Sequence, residues 1–231
     1  MSSHSAAPVA VALDAPDLET AAAWADAVTP YVSTVKVGLE LYCRYGPDVV
    51  ATVRGGSGVD LFLDLKLHDI PATVAGAVQA VSMLRPRYLT VHAVGGAAMI
   101  RAAAEAADTC IAAVTVLTSL GEADLDALGL AGPSLDAARR LSVLAVGAGA
   151  RALVCSPHEV AAVRAEVGAD ITLITPGVRP AGAAAQDQAR VATPRAALDA
   201  GADLLVIGRP ITAARDPGAA AQSLARELRQ R

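Results

Sequence analysis

Eight short apolar runs recur along the chain, and each is followed by a longer stretch before the next begins. The runs are Val9–Asp14, Thr34–Gly38, Asp60–Lys66, Tyr88–His92, Ile111–Leu117, Ala152–Cys155, Ile171–Pro176 and Asp203–Gly208. Between them lie alanine-rich segments of helical period, such as Leu18–Val28, Ile70–Met83, Ala97–Ala107, Leu135–Gly147, Pro157–Val167 and Arg195–Ala200. A final one, Pro217–Gln230, follows the eighth run. Strands that alternate with helices are joined by right-handed crossovers and therefore run parallel. Eight such units predict a closed (β/α)8 barrel in a single domain over 1–231, with Met1–Pro8 as a flexible tail. A doubly wound open sheet is the structural alternative. Asp17, Ser134 and Ser156 are expected to cap helix starts, the last just before Pro157.

Composition narrows the function. A net charge of −4 argues against a protein that grips a phosphate backbone. With one tryptophan, one phenylalanine and four tyrosines, the chain also lacks material for base-stacking platforms. Neither nucleic acid nor a membrane is therefore an expected partner. Cys43, Cys110 and Cys155 are too widely spaced for a disulfide framework or a zinc knuckle, and read as buried thiols in a reducing, cytoplasmic compartment. No signal-peptide pattern opens the chain, and no long uninterrupted apolar run is present.

Charges stand where a barrel should be apolar. In Leu61–Val74, LFLDLKLHDIPATV, side chains alternate along the strand. Asp64 and Lys66 would share a face with Phe62, with the four leucines Leu61, Leu63, Leu65 and Leu67 opposite. Both charges would then enter the mouth at the strand's C-terminal end, and Asp69 would follow close to the lysine. Asp14 ends the first run and Lys36 interrupts the second. A lone lysine in an apolar strand is costly unless paired. Any one of these charges could be an edge charge or a structural ion pair, but four near the ends of three successive strands point to a site.

The last run leads into Gly208-Arg209-Pro210 and a helical turn. Glycine permits close backbone approach, a helix start offers free N–H groups, and arginine adds a fork of donors, a combination suited to phosphate. Arg179, in the Gly/Pro/Ala-rich stretch Pro176–Gln188, could close over the same anion as part of a lid. His68 and His92 lie near strand ends without convincing metal-ligand spacing, so no metal site is expected, although a metal-dependent barrel epimerase stays open as a minor reading. There is no nucleophile elbow and no dinucleotide fingerprint.

Taken together, Asp64-Leu-Lys66-Leu-His-Asp69-Ile70-Pro71-Ala-Thr73 resembles the orotidine 5'-phosphate decarboxylase family. The D-x-K-x-x-D core is shared with sugar-phosphate decarboxylases, and the Ile-Pro-x-Thr extension distinguishes the orotidylate enzymes. Further segments agree in order, among them Ala12-Leu13-Asp14, Lys36-Val37-Gly38, Val91-His92-Ala93, Val116-Leu117-Thr118-Ser119, Thr175-Pro176-Gly177-Val178-Arg179, Asp187-Gln188 and Gly208-Arg209. The resemblance implies decarboxylation of orotidine 5'-monophosphate to uridine 5'-monophosphate, with neither metal nor organic cofactor. It implies that Asp14 and Lys36 hold the ribose, Asp64 sits beside the substrate carboxylate, and Lys66 donates the proton. Asp69 and Thr73 would serve the neighbouring site of a homodimer, and Thr118 would lie against the pyrimidine. Arg179, Gln188 and Arg209 would bind the phosphate, with Gly208 beside it. Leu67, Ala72 and Ala181 depart from residues common in the family. A sugar-phosphate decarboxylase or a catalytically silent barrel are the rival readings.

Overall fold

A computed structural model describes residues 6–130, 132–179 and 192–229. Its eight parallel strands close into a barrel in sequence order, each paired with its neighbours and β1 with β8. The strands are β1 (Ala7–Ala12), β2 (Val32–Gly38), β3 (Asp60–Leu67), β4 (Tyr88–His92), β5 (Cys110–Val114), β6 (Ala152–Val154), β7 (Thr172–Thr175) and β8 (Leu204–Ile207). The closed ring rules out the open sheet.

The helices between them are α1 (Leu18–Val28), α2 (Leu39–Tyr45), α3 (Asp48–Arg54), α4 (Pro71–Ser82), α5 (Gly96–Ala106), α6 (Glu122–Ala127), α7 (Ser134–Gly147), α8 (Val160–Val167), α9 (Pro194–Asp199), α10 (Arg209–Thr212) and α11 (Pro217–Arg229). Ala7 and Pro8 belong to β1 rather than to a tail; Met1–Ser5 lie outside the described residues.

Strand alternation sorts the side chains into two layers. Even-numbered residues point inward: Ala10, Phe62, Tyr88, Ala112, Val114, Ala152, Val154, Ile174 and Leu204 fill the barrel, with Phe62 and Tyr88 edge to face at 6.0 Å. Odd-numbered residues, including Val9, Val11, Val35, Val37, Leu61, Leu63, Leu89 and Leu205, pack outward against the helices. Each fully buried leucine or phenylalanine contributes about 1.5–3 kcal/mol. The plug of apolar side chains closes the lower barrel, so any polar side chain above it lies at the C-terminal mouth.

Local expectations fared unevenly. Asp17 caps α1, accepting the Thr20 N–H at 2.7 Å. Ser134 is instead the first residue of α7, and its own N–H is taken by the Glu122 carboxylate at 3.1 Å. Ser156 does not cap α8. Pro157 sits in a turn, α8 starts at Val160, and the Ser156 N–H donates to Glu159 Oε2 at 2.9 Å. In both cases a glutamate carboxylate takes the serine's own backbone N–H, and at Ser156 it does so from three residues on, as the glutamate of a capping box does. Of the cysteines, Cys155 is buried, Cys110 half-buried and Cys43 exposed on α2, so the expectation of three buried thiols fails at Cys43. Among the described residues no helix is long and apolar enough to cross a membrane.

Candidate active site

Four charges from three adjacent strands form one chain across the mouth. Asp14, just past β1, has Oδ1 3.6 Å from Lys36 Nζ. Lys36 Nζ lies 3.4 Å from Asp64 Oδ2, and Lys66 Nζ donates to Asp64 Oδ1 at 2.8 Å. The signs alternate along the row. Lys36 is 8% exposed and Asp64 14%, whereas Lys66 and Asp14 reach further out, at 28% and 56%. Burial alone would push the Asp64 carboxyl up. The two ammonium groups and hydrogen bonds from Lys66 and Thr90 more than reverse this and hold it below the usual carboxylate range.

Gly38 makes room for this row. A Cβ there would stand 2.9 Å from Asp14 Oδ1 and 3.0 Å from Lys36 Nζ. Where β2 ends, only a hydrogen fits beside the pair.

β3 does not run straight into the site. Leu63 pairs with Leu89 and Leu67 with Val91, so β3 spends four residue steps where β4 spends two. The slack is taken up at Lys66, whose φ of 49° is left-handed. A non-glycine residue there costs on the order of 1–3 kcal/mol and persists only when its surroundings enforce it. Thr90, fully buried on β4, supplies the enforcement. Its Oγ1 accepts the Lys66 backbone N–H at 2.8 Å and donates to Asp64 Oδ1 at 3.0 Å. Simple alternation did place Asp64 and Lys66 at the mouth, but missed the bulge and missed Thr90.

Two lobes of one cleft open on either side of Asp64, Pro176 and Val206. The first, about 200 Å³, is bounded by Phe62, Val114, Val116, Leu117, Val154 and Cys155, with Lys66 and Thr118 at its polar edge. The second, about 230 Å³, is bounded by Asp14, Lys36, Gly177, Arg179, Gly208 and Arg209. An apolar slot with one ammonium suits a flat ring; a lobe with two guanidinium groups suits an anion. A larger surface groove of about 540 Å³ lies between α7 and α8, but no strand end reaches it. In barrels of this kind the chemistry sits at the C-terminal ends of the strands.

Arg179 is buried after β7, and Arg209 is exposed at the start of α10. With four residues α10 is too short to add much dipole, so the positive charge of this lobe comes from the guanidinium groups rather than from the helix start. Gln188 and Ala181 lie outside the described residues, as does most of the expected lid. Asp69 is exposed and accepts the Ile70 N–H at 2.6 Å; the ion pairs of Lys36 and Lys66 within the chain go to Asp14 and Asp64 instead. Thr73 is likewise exposed, in the first turn of α4. His92 faces His68 with ring centroids 5.6 Å apart. Burial, then His68 and Lys66, lower its pKa below the ordinary histidine value, against a smaller opposing pull from Asp64. Among the described residues no group of three His, Cys, Asp or Glu side chains is arranged to hold a metal ion.

The model of the orotidine 5'-phosphate decarboxylase / HUMPS family matches residues 7–224. The chain belongs to that family. A protein of Thermobifida fusca named orotidine 5'-phosphate decarboxylase is 74% identical over 226 residues, covering 97% of each chain. One from Frankia casuarinae bearing the same name is 60% identical, covering 96% of this chain and 88% of its own. The crystal structure of orotidine 5'-phosphate decarboxylase from Lactobacillus acidophilus superposes with a TM-score of 0.83 at 34% identity, covering 96% of this chain and 99% of that one. Family membership accords with the motif Asp64-x-Lys66-x-x-Asp69 and with the barrel that carries it.

Proposed function

We propose that this chain is an orotidine 5'-phosphate decarboxylase, forming uridine 5'-monophosphate in pyrimidine biosynthesis without metal or organic cofactor. The observation that carries the reading is the Asp14–Lys36–Asp64–Lys66 row, set between an apolar slot and a basic lobe. The names of relatives that match nearly the full chain support the same activity.

The pyrimidine ring enters the apolar slot beside Thr118, its ribose meets Asp14 and Lys36, and its phosphate meets Arg209 and Arg179, with Gly208 close by and Gln188 as a further donor. The bond from C6 to the carboxylate then breaks, and its electron pair stays on C6 while carbon dioxide leaves. That pair lies in the ring plane and cannot spread into the ring as an enolate would. A fixed ammonium stabilises it best, and Lys66 Nζ then transfers its proton to C6 and regains one from solvent. Asp64 beside the leaving carboxylate favours its departure and anchors Lys66. Phosphate binding contributes energy remote from the reacting carbon that positions the ring.

A homodimer with shared sites completes the reading. Ile70 is 66% exposed, and Asp69, Pro71, Ala72 and Thr73 beside it are exposed as well. A second subunit covering this edge would bring Asp69 and Thr73 to the neighbouring cleft. A cytoplasmic location agrees with three free cysteines.

The test is incubation of the purified protein with orotidine 5'-monophosphate in EDTA. Uridine 5'-monophosphate and carbon dioxide should form in equal amounts. Absence of product, or turnover abolished by the chelator, would overturn the reading.

A further inference from the structure

We infer that Thr90 is a positioning residue, whose single hydroxyl sets both the backbone at Lys66 and the carboxylate at Asp64. The inference rests on the decarboxylase reading for its kinetic consequence and on geometry alone for its structural one. Thr90 Oγ1 lies 2.8 Å from the Lys66 backbone nitrogen and 3.0 Å from Asp64 Oδ1. The directions of both bonds are forced. The backbone N–H can only donate and an ionised carboxylate can only accept, so the hydroxyl accepts from Lys66 and gives its own proton to Asp64. One side chain thereby satisfies two groups where the ladder between β3 and β4 breaks, between Leu63 and Leu67.

Three consequences follow. The left-handed φ of Lys66 is held by a bond from the neighbouring strand rather than by its own sequence. Asp64 Oδ1, which also receives Lys66 Nζ at 2.8 Å, is fixed in rotation by a second donor. The ammonium is thus oriented from both ends, through its own backbone and through the carboxylate that holds it. Thr90 is fully buried and borders neither lobe of the cleft, so it acts on the reaction through Lys66 and Asp64 and not through contact with substrate.

Thr90→Val keeps the shape and removes the hydroxyl; Thr90→Ser keeps the hydroxyl and removes the methyl. The valine variant should lose on the order of a hundredfold in kcat, as expected when a reacting group shifts by about an ångström, with KM for orotidylate within about threefold. The Lys66 amide should exchange with solvent at least roughly tenfold faster in the free protein. The serine variant should stay near wild type in both measurements. Wild-type kcat and exchange in Thr90→Val would overturn the inference, as would an equal loss in Thr90→Ser, which would assign the effect to packing of the methyl group. Should the valine variant fail to fold, Thr90→Ala against Thr90→Ser poses the same question: loss in alanine alone supports the clasp, and equal behaviour overturns it. If the wild-type protein leaves orotidylate untouched, the decarboxylase reading falls, and amide exchange at Lys66 still decides the clasp.

Discussion

Replacing Gly38 with alanine isolates the contribution of the charged row from that of the backbone. Gly38 has φ −93° and ψ 178°, an extended conformation that alanine adopts without strain. The added Cβ would lie 2.9 Å from Asp14 Oδ1 and 3.0 Å from Lys36 Nζ. Ordinary contact is near 3.5 Å, so each group must retreat by roughly half an ångström. Lys36 is held within the barrel, whereas Asp14 is half in solvent and yields first. The row then loses its outer carboxylate and Lys36 leans on Asp64 alone. A misplacement of about 1 Å can cost a hundredfold in rate, so about half that should cost roughly tenfold in kcat/KM. The assay is steady-state decarboxylation of orotidylate beside a thermal melt. Activity within about twofold of wild type would refute the claim that the Asp14–Lys36 contact needs the space at Gly38.

Three other outcomes are expected. Arg209→Ala should raise KM strongly and lower kcat/KM for orotidylate, yet change little for orotidine, which has no phosphate for the guanidinium to hold; equal proportional losses for both would mean that Arg209 supports the fold. Mixed Lys66→Ala and Asp69→Ala subunits should recover activity that neither has alone, because one site of the mixed dimer is intact, and no recovery despite verified exchange would count against shared sites. Asp64 binds its proton more weakly in the folded chain than its ordinary value of 3.8, so the unfolded state takes up protons first as acid is added. Its stabilising contribution is thus full above about pH 4 and declines below it, and Asp64→Asn should flatten that part of the curve of melting temperature against pH; an unchanged acid limb would contradict the assignment.

The strand pattern was legible because barrel interiors obey a period of two. Asp14, Lys36 and Asp64 are even-numbered, like Phe62 and Val114, and this parity alone brings them inside. What escaped is what breaks the period. Lys66 keeps its parity only through a left-handed bulge, and β-strand alternation carries no trace of it. Thr90 sits in Tyr88–His92, a run that reads as ordinary buried strand, and its hydroxyl gains meaning only from the two β3 residues that it touches. Ser134 and Ser156 precede helical patterns as caps would, but α7 starts at Ser134 itself and α8 only at Val160, so neither serine stands at the position just before its helix. Cys43 lies on α2, which abuts β2 without turn residues between them, so its exposure could not be read from the run it follows.

In the proposed reaction one ammonium, at Lys66, both stabilises the C6 carbanion and protonates it. The most direct test is the turnover of orotidylate by Lys66→Ala at equal folded concentration, in EDTA, with circular dichroism to establish the fold. A group supplying several kcal/mol of transition-state stabilisation should take at least about a thousandfold of kcat with it. Turnover within about tenfold of wild type would mean that the charge at C6 is met by some other group.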